Sequence, residues 1–230
     1  MIKYKWFFVD WSVPISLIGS MMLASQFTEE AGEGFIISRS NSSSIEGKFI
    51  QKNIYYVSEE RPFGENIRNQ RIEYMIIEFN ITNGRYLGLE LLNPPRTIKP
   101  LISKLSEMIG LGLIITDSLV NPLHWAEQIE KQAKSFKLTE MQVSDVGIAS
   151  NSLARISVSG ECDIRKDFSD FIGNKKYSVQ QVKFRVKLLE SEVKSCLIEL
   201  KKNGSAKFYS GWSVKLYSLV RNSLDSQAIR

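Results

Sequence analysis

The chain has 230 residues and only one histidine, His124. Without a second, imidazole-rich metal sites and histidine-paired nucleophiles are hard to build. Its two cysteines, Cys162 and Cys196, lie far apart and fit no zinc or redox spacing, so they read as free thiols of a reducing compartment. Phosphate-cradling loops are missing as well. "EEAGEGF" (29–35) lacks the G-x-G-x-x-G order and has no strand before it, and neither G-x-x-x-x-G-K-[ST] nor G-x-S-x-G occurs. No metal or cofactor is therefore expected. Nor is there a run of about 18 uninterrupted apolar residues, which argues against a membrane span. The opening "MIKYKWFFVDWSVPISLIGSMMLASQF" mimics a leader peptide, but Asp10 and Pro14 interrupt it. It reads as a strand and a buried helix, with a cytoplasmic address.

What is present is a globular composition with an uneven charge. At 43% hydrophobic residues, a chain of this length can bury a sizeable core. The net charge is only +5, yet residues 151–230 carry 15 Lys/Arg against 8 Asp/Glu, and residues 1–150 carry 15 against 17. A basic C-terminal stretch on a near-neutral remainder points to an anionic partner.

Asn-Gly between apolar runs marks a hairpin, because both residues tolerate positive φ. It occurs at Asn83-Gly84 and at Asn203-Gly204. An amphipathic helix is predicted after each, over "TIKPLISKLSEMIG" (97–110) and "WSVKLYSLVRNSLD" (212–225). In the first, Thr97 can cap the start, Pro100 fits the first turn and Gly110 can close the end. Upstream, "YKWFFVDW", "PISLIGSMMLAS" and "GKFIQKNIYYVSE" read as strand, helix and strand, and so do "LARISVSG", "DIRKDFSDFIG" and "YSVQQVKFRVKL". The pattern predicts an α+β fold with two pseudo-repeated units of antiparallel sheet and packed helices, each running strand, helix, strand, hairpin, helix. The expected boundaries are an N-terminal unit over 1–110, a short α/β connector over 111–150 and a basic C-terminal unit over 151–230. "GFIISRS" adds a strand to the first unit. The connector reads strand, helix and strand, its helix starting at Asn121-Pro122. On that helix His124, Gln128, Lys131 and Ser135 fall on one polar stripe, where a lone histidine is solvated. Two loops, Ser-rich 38–47 and charged 58–71, read as hairpin connections of variable length, the first flexible by composition.

Glu199 and Lys201 form an E-x-K pair in "CLIELKKNGSAKFY". Alternation puts both on one face of a strand, as a metal-dependent nuclease requires. The upstream acid is missing, since "YSVQQVKFRVKL" contains none. In the first hairpin Glu78 is followed two residues on by Asn80, so the pair is not part of the repeated unit. The stretch reads more simply as a hairpin arm whose polar face supports solubility and cross-strand pairing.

The positive signal is a basic strand face. Val182, Phe184, Val186 and Leu188 alternate with Lys183, Arg185 and Lys187. With the apolar set inward, three cations project outward at about 7 Å intervals, twice the strand rise, a spacing that suits backbone phosphates. Lys175, Lys176, Lys201, Lys202 and Lys207 extend the patch. Tyr177, Phe208, Tyr209 and Trp212 stand near it as core or stacking residues. The reading is a non-enzymatic cytoplasmic nucleic-acid-binding or adaptor subunit, with DNA, RNA or an acidic protein as partner. The alternatives are a structural subunit of a larger assembly and, more weakly supported, a nuclease using Glu199 and Lys201.

Overall fold

Alternating and amphipathic stretches of the chain become strands and helices in the computed structural model, which describes residues 1–60, 66–84, 87–149, 152–188 and 195–225. The fold is α+β. In chain order the elements are β1 (Ile2–Asp10), α1 (Ile15–Ala24), β2 (Glu33–Ser40), β3 (Ser44–Glu60), β4 (Asn66–Thr82), β5 (Leu89–Leu92), α2 (Lys99–Ile109) and β6 (Ile114–Asp117). There follow α3 (Pro122–Glu130), β7 (Ala133–Ala149), β8 (Ser152–Ser159), α4 (Arg165–Ile172), β9 (Ser178–Leu188), β10 (Cys196–Lys201), β11 (Ser205–Ser210) and α5 (Val214–Asp225). No described helix is long and apolar enough to cross a membrane.

The chain forms two compact units, one of Met1–Phe7 with Thr116–Arg230 and one of Phe8–Ile115. In the first unit the strand order is β1-β11-β10-β9-β7-β8, with antiparallel ladders. The stretch 116–149 is integrated into this sheet, because β7 pairs with both β8 and β9. Helix α3 lies against β9, β10 and β7, and α5 lies against α3. Asn121 caps α3 through its side-chain oxygen, which accepts from the Leu123 and His124 N–H groups. Trp125 and Ile129 then point into the core with Trp6, Phe184, Ile198, Leu200, Phe208, Leu216 and Val220. Trp125 Nε1 is satisfied there, donating to the Val220 carbonyl at 2.9 Å. Helix α3 ends at Glu130, so Ser135 belongs to β7 and the predicted polar stripe stops at Lys131.

Between β10 and β11 the turn spans residues 202–204, because Lys201 pairs with Ser205, and Gly204 takes positive φ while Asn203 does not. At Asn83-Gly84 neither residue takes positive φ, and β4 and β5 pair up to Ile81 and Leu89. Gly204 has φ +69°, and a Cβ there would come within 2.6 Å of the Ser118 carbonyl oxygen. Only glycine meets both conditions.

In the second unit β2-β3-β4-β5 form an antiparallel sheet. Helix α1 lies against β2 and β3, and Phe35, Phe49, Ile77 and Phe79 fill the interior. Pro100 sits in the first turn of α2 and Gly110 closes the helix with φ +80°. The Thr97 hydroxyl lies 3.4 Å from the Lys99 N–H, a long contact for a cap. The Ser-rich stretch is an ordered hairpin turn, because the Asn41 side chain accepts from the N–H groups of both Ser43 and Ser44. Strands β3 and β4 are each 17 residues long. Most of the charged 58–71 stretch therefore lies on strands, and residues 61–65 fall outside the described residues. Beyond the Lys52–Tyr74 pair, this hairpin exposes Ile54, Tyr56 and Ile72 on one face and Tyr55 and Val57 on the other.

Candidate functional site

Strand β9 sets the site's geometry. Val182, Phe184, Val186 and Leu188 are buried, and Lys183, Arg185 and Lys187 project from the opposite face. Because α3 occupies the inner side, the cations are directed away from the helices. Register extends the outward face sideways. Lys3, Lys207, Glu199, Lys183 and Glu140 line up across β1, β11, β10, β9 and β7, and Arg185 stands opposite Lys137.

The row through Lys183 is internally compensated. Lys183 Nζ lies 3.1 Å from Glu140 Oε2 and 5.0 Å from the Tyr209 ring centre. Lys207 reaches the same ring, at 5.5 Å. Glu199 is 4% exposed, accepts from the Tyr209 hydroxyl at 2.6 Å and pairs with Lys201 at 3.3 Å. Burial works against the Glu199 charge, but the Tyr209 hydrogen bond and the Lys201 and Lys207 ammoniums outweigh it and hold its carboxyl below the usual range. The Tyr209 phenol is pushed up to about 12, first by burial and then by its bond to Glu199. Lys3 is pushed down by burial and by repulsion from Lys201 and Lys207, a sign of local positive excess.

One row over, no described residue compensates. Arg185, Lys187 and Lys137 form no hydrogen bond or ion pair with any described residue. Asp163 lines the same hollow as Lys137 and Arg185, but its oxygens are engaged by Arg165 and the Leu138 N–H. Like charges directly opposite on a ladder destabilise it, so the Lys137–Arg185 pair costs stability in the isolated molecule.

The remaining predicted residues gather at the end of the sheet where β9 begins. Lys175 and Lys176 are exposed in the connection from α4 to β9. Lys202 Nζ donates to Ser178 Oγ at 2.9 Å. A cleft of about 1020 Å³ opens here, lined by His124, Gln128, Lys131, Tyr177, Ser178 and Lys202 among others. It shares Leu119 and Lys202 with a second hollow of about 360 Å³, where Arg155, Lys201, Gln142, Gln180 and Gln181 meet. Among the described residues neither lining contains a carboxylate. His124 is half-exposed, with Nδ1 3.4 Å from Glu127 Oε2 and Nε2 3.2 Å from the Gln128 amide.

Sequence reasoning missed Arg155, Lys131 and Lys137 as site residues, and Lys3 as a member of the face. Arg155 occupies an outward position of an alternating strand and was legible as such. Lys137 and Lys3 join the site through register alone.

The E-x-K pair does project from one face. Tyr209 and Lys201 engage the Glu199 carboxyl oxygens, and Lys207 stands opposite Glu199 on β11. Among the described residues no group of three or more His, Cys, Asp or Glu side chains is placed to hold a metal ion. The sequence matches no family model and no curated protein.

Proposed function

We propose that the chain is a non-enzymatic, cytoplasmic nucleic-acid-binding subunit that engages the phosphate backbone through the outward face of its first unit. The observation that carries this reading is the group Lys137, Arg185 and Lys187, which no described residue pairs with. Cations that repel one another on adjacent strands gain by neutralising phosphates, and solubility alone does not require them side by side. Lys201, Lys202 and Lys207, with Lys175 and Lys176 at the sheet end, widen the footprint. Lys183 serves as a brace through Glu140 and Tyr209. Binding of this kind is weakly sequence-selective, because phosphates carry no base identity. Each phosphate contact contributes a slope of about −0.7 to −0.9 in log affinity against log salt concentration. A titration of fluorescent oligonucleotide binding against salt is expected to give a steep line reflecting several contacts. A flat line would contradict the reading, and binding of an acidic protein in place of nucleic acid would redirect it.

A second reading, a structural subunit of a larger assembly, is favoured by the β3–β4 hairpin. Residues 52–74 carry four Lys/Arg and four Glu, so this arm has no net charge. It exposes Ile54, Tyr56 and Ile72 where a polyanion has nothing to gain. A two-stranded ribbon is marginal alone in water, and a second copy of the arm would cover it. Light scattering is then expected to return a multiple of 26.2 kDa, reduced to the monomer by Ile54→Asp with Ile72→Asp. A monomeric wild type would remove this reading.

The pseudo-repeat belongs here too. Strands β3-β4-β5 followed by α2, and β9-β10-β11 followed by α5, are both antiparallel meanders leading into a helix. That parallel supports an internal duplication of the 1–110 and 151–230 stretches, with residues 1–7 and the 116–149 part of the 111–150 connector joining the unit that holds 151–230.

A further inference from the structure

Lys202 and Lys131 are held at the cleft by neutral oxygens. Lys202 Nζ donates to Ser178 Oγ at 2.9 Å, and Lys131 Nζ donates to Gln128 Oε1 at 3.0 Å. Neither forms an ion pair with a described residue. Arg155 enters the adjoining hollow from an exposed position and forms no ion pair with a described residue. Tyr177 is steadied by an edge-to-face contact with Phe168, at 5.3 Å between centres, and its side is still 39% exposed at the cleft. The two linings also hold Gln128, Gln142, Gln180, Gln181 and Ser178, of which Gln128, Gln142, Gln180 and Ser178 bond to neighbouring side chains. Cations, an accessible aromatic ring and amide groups gather at this end of the sheet, where Glu127, Glu140 and Glu199 already engage His124, Gln142 and Lys201, and they match three parts of one ligand: phosphate, base face and base edge.

We propose that this groove holds a single strand of nucleic acid, with phosphates on Lys202, Lys131 and Arg155 and a base stacked on Tyr177. The inference rests on the nucleic-acid reading above and narrows it to single strands. A duplex keeps its bases stacked inside, so Tyr177 and the glutamines would have nothing to address. The open row of Lys137, Arg185 and Lys187 can follow the phosphates of either form. Only the groove offers the contacts that an unpaired base can use, and so it confers preference for the single strand.

Fluorescence anisotropy with labelled oligothymidylate, oligouridylate and a duplex of the same length tests this. The wild type binds at least one single strand more tightly than the duplex. The pair Lys202→Glu with Arg155→Glu lowers single-strand affinity by about tenfold or more and affects the duplex less. Tyr177→Ala lowers it by about fivefold or more, and Tyr177→Phe preserves it because the ring is retained. Circular dichroism of each variant reports folding. Arg155→Glu alone, at an exposed position, carries the test if the double variant does not fold. Equal affinity for strand and duplex, with Tyr177→Ala inert, would overturn the groove and leave the phosphate-binding face standing. Absence of binding to all three probes would overturn both.

Discussion

Phe184→Ala is expected to destabilise the protein by about 3–5 kcal/mol, the cost of truncating a fully buried aromatic side chain. Phe184 is sealed from solvent and stacks on Phe136 with ring centres 4.8 Å apart and planes 27° apart. It stands at the centre of the inward row, with Leu138 opposite it on one neighbouring strand and Ile198 on the other. Removing the ring leaves a cavity bounded by strands on both sides, and a hydrogen-bonded sheet has little freedom to collapse into it. The adjacent substitution Arg185→Ala is expected to stay within about 0.5 kcal/mol, as for a surface change away from special features. It also relieves the repulsion from Lys137. Urea unfolding of the two variants measures the contrast. Similar losses at 184 and 185 would mean that this strand does not divide interior from exterior as described.

The double reversal Arg185→Glu with Lys187→Glu is expected to cut nucleic-acid affinity by about tenfold to a hundredfold near physiological salt. Two lost phosphate contacts account for that range, and the salt slope should flatten by about 1.4–1.8. Folding should be unimpaired, because neither side chain has a partner among the described residues and a glutamate at 185 would face Lys137 across the ladder. That new pair is opposite in charge and favourable by the cross-strand rule. Reversing Lys183 would be a poor substitute test. It would set a glutamate against Glu140 and beside Glu199, so lost binding could not be separated from lost structure. An unchanged affinity for the 185/187 variant, with the protein folded, would remove Arg185 and Lys187 from the interface.

Elements governed by local rules were legible in the sequence. Period-two alternation over 182–188 places each side chain on the correct face of β9. Gly204 marks a turn because its backbone has positive φ, which Asn203, Asn83 and Gly84 do not share, and Asn121-Pro122 marks a helix start because its N–H groups need an acceptor. Elements governed by long-range register were not legible. Glu140 neutralises Lys183 only because β7 pairs with β9 through bulges between Leu138 and Glu140, and no local pattern announces a bulge. The membership of Met1–Phe7 in a unit with residues from 116 onward likewise depends on the pairing of β1 with β11. The α3 stripe misled for a different reason. Polar residues continue at helical spacing to Ser135, yet the backbone from Ala133 gains more by pairing with β9. The site was therefore half readable. Its outward cations could be named, but which of them are already satisfied could not.

Lysine footprinting tests the central claim most directly. Surface amines are acetylated with and without saturating oligothymidylate, and modification is read residue by residue by mass spectrometry. The account predicts protection of Lys187, Lys202 and Lys137 on the first unit, with Lys48 and Lys99 of the second unit unchanged. Protection of Lys48 and Lys99 with Lys187 and Lys202 still reactive would contradict it.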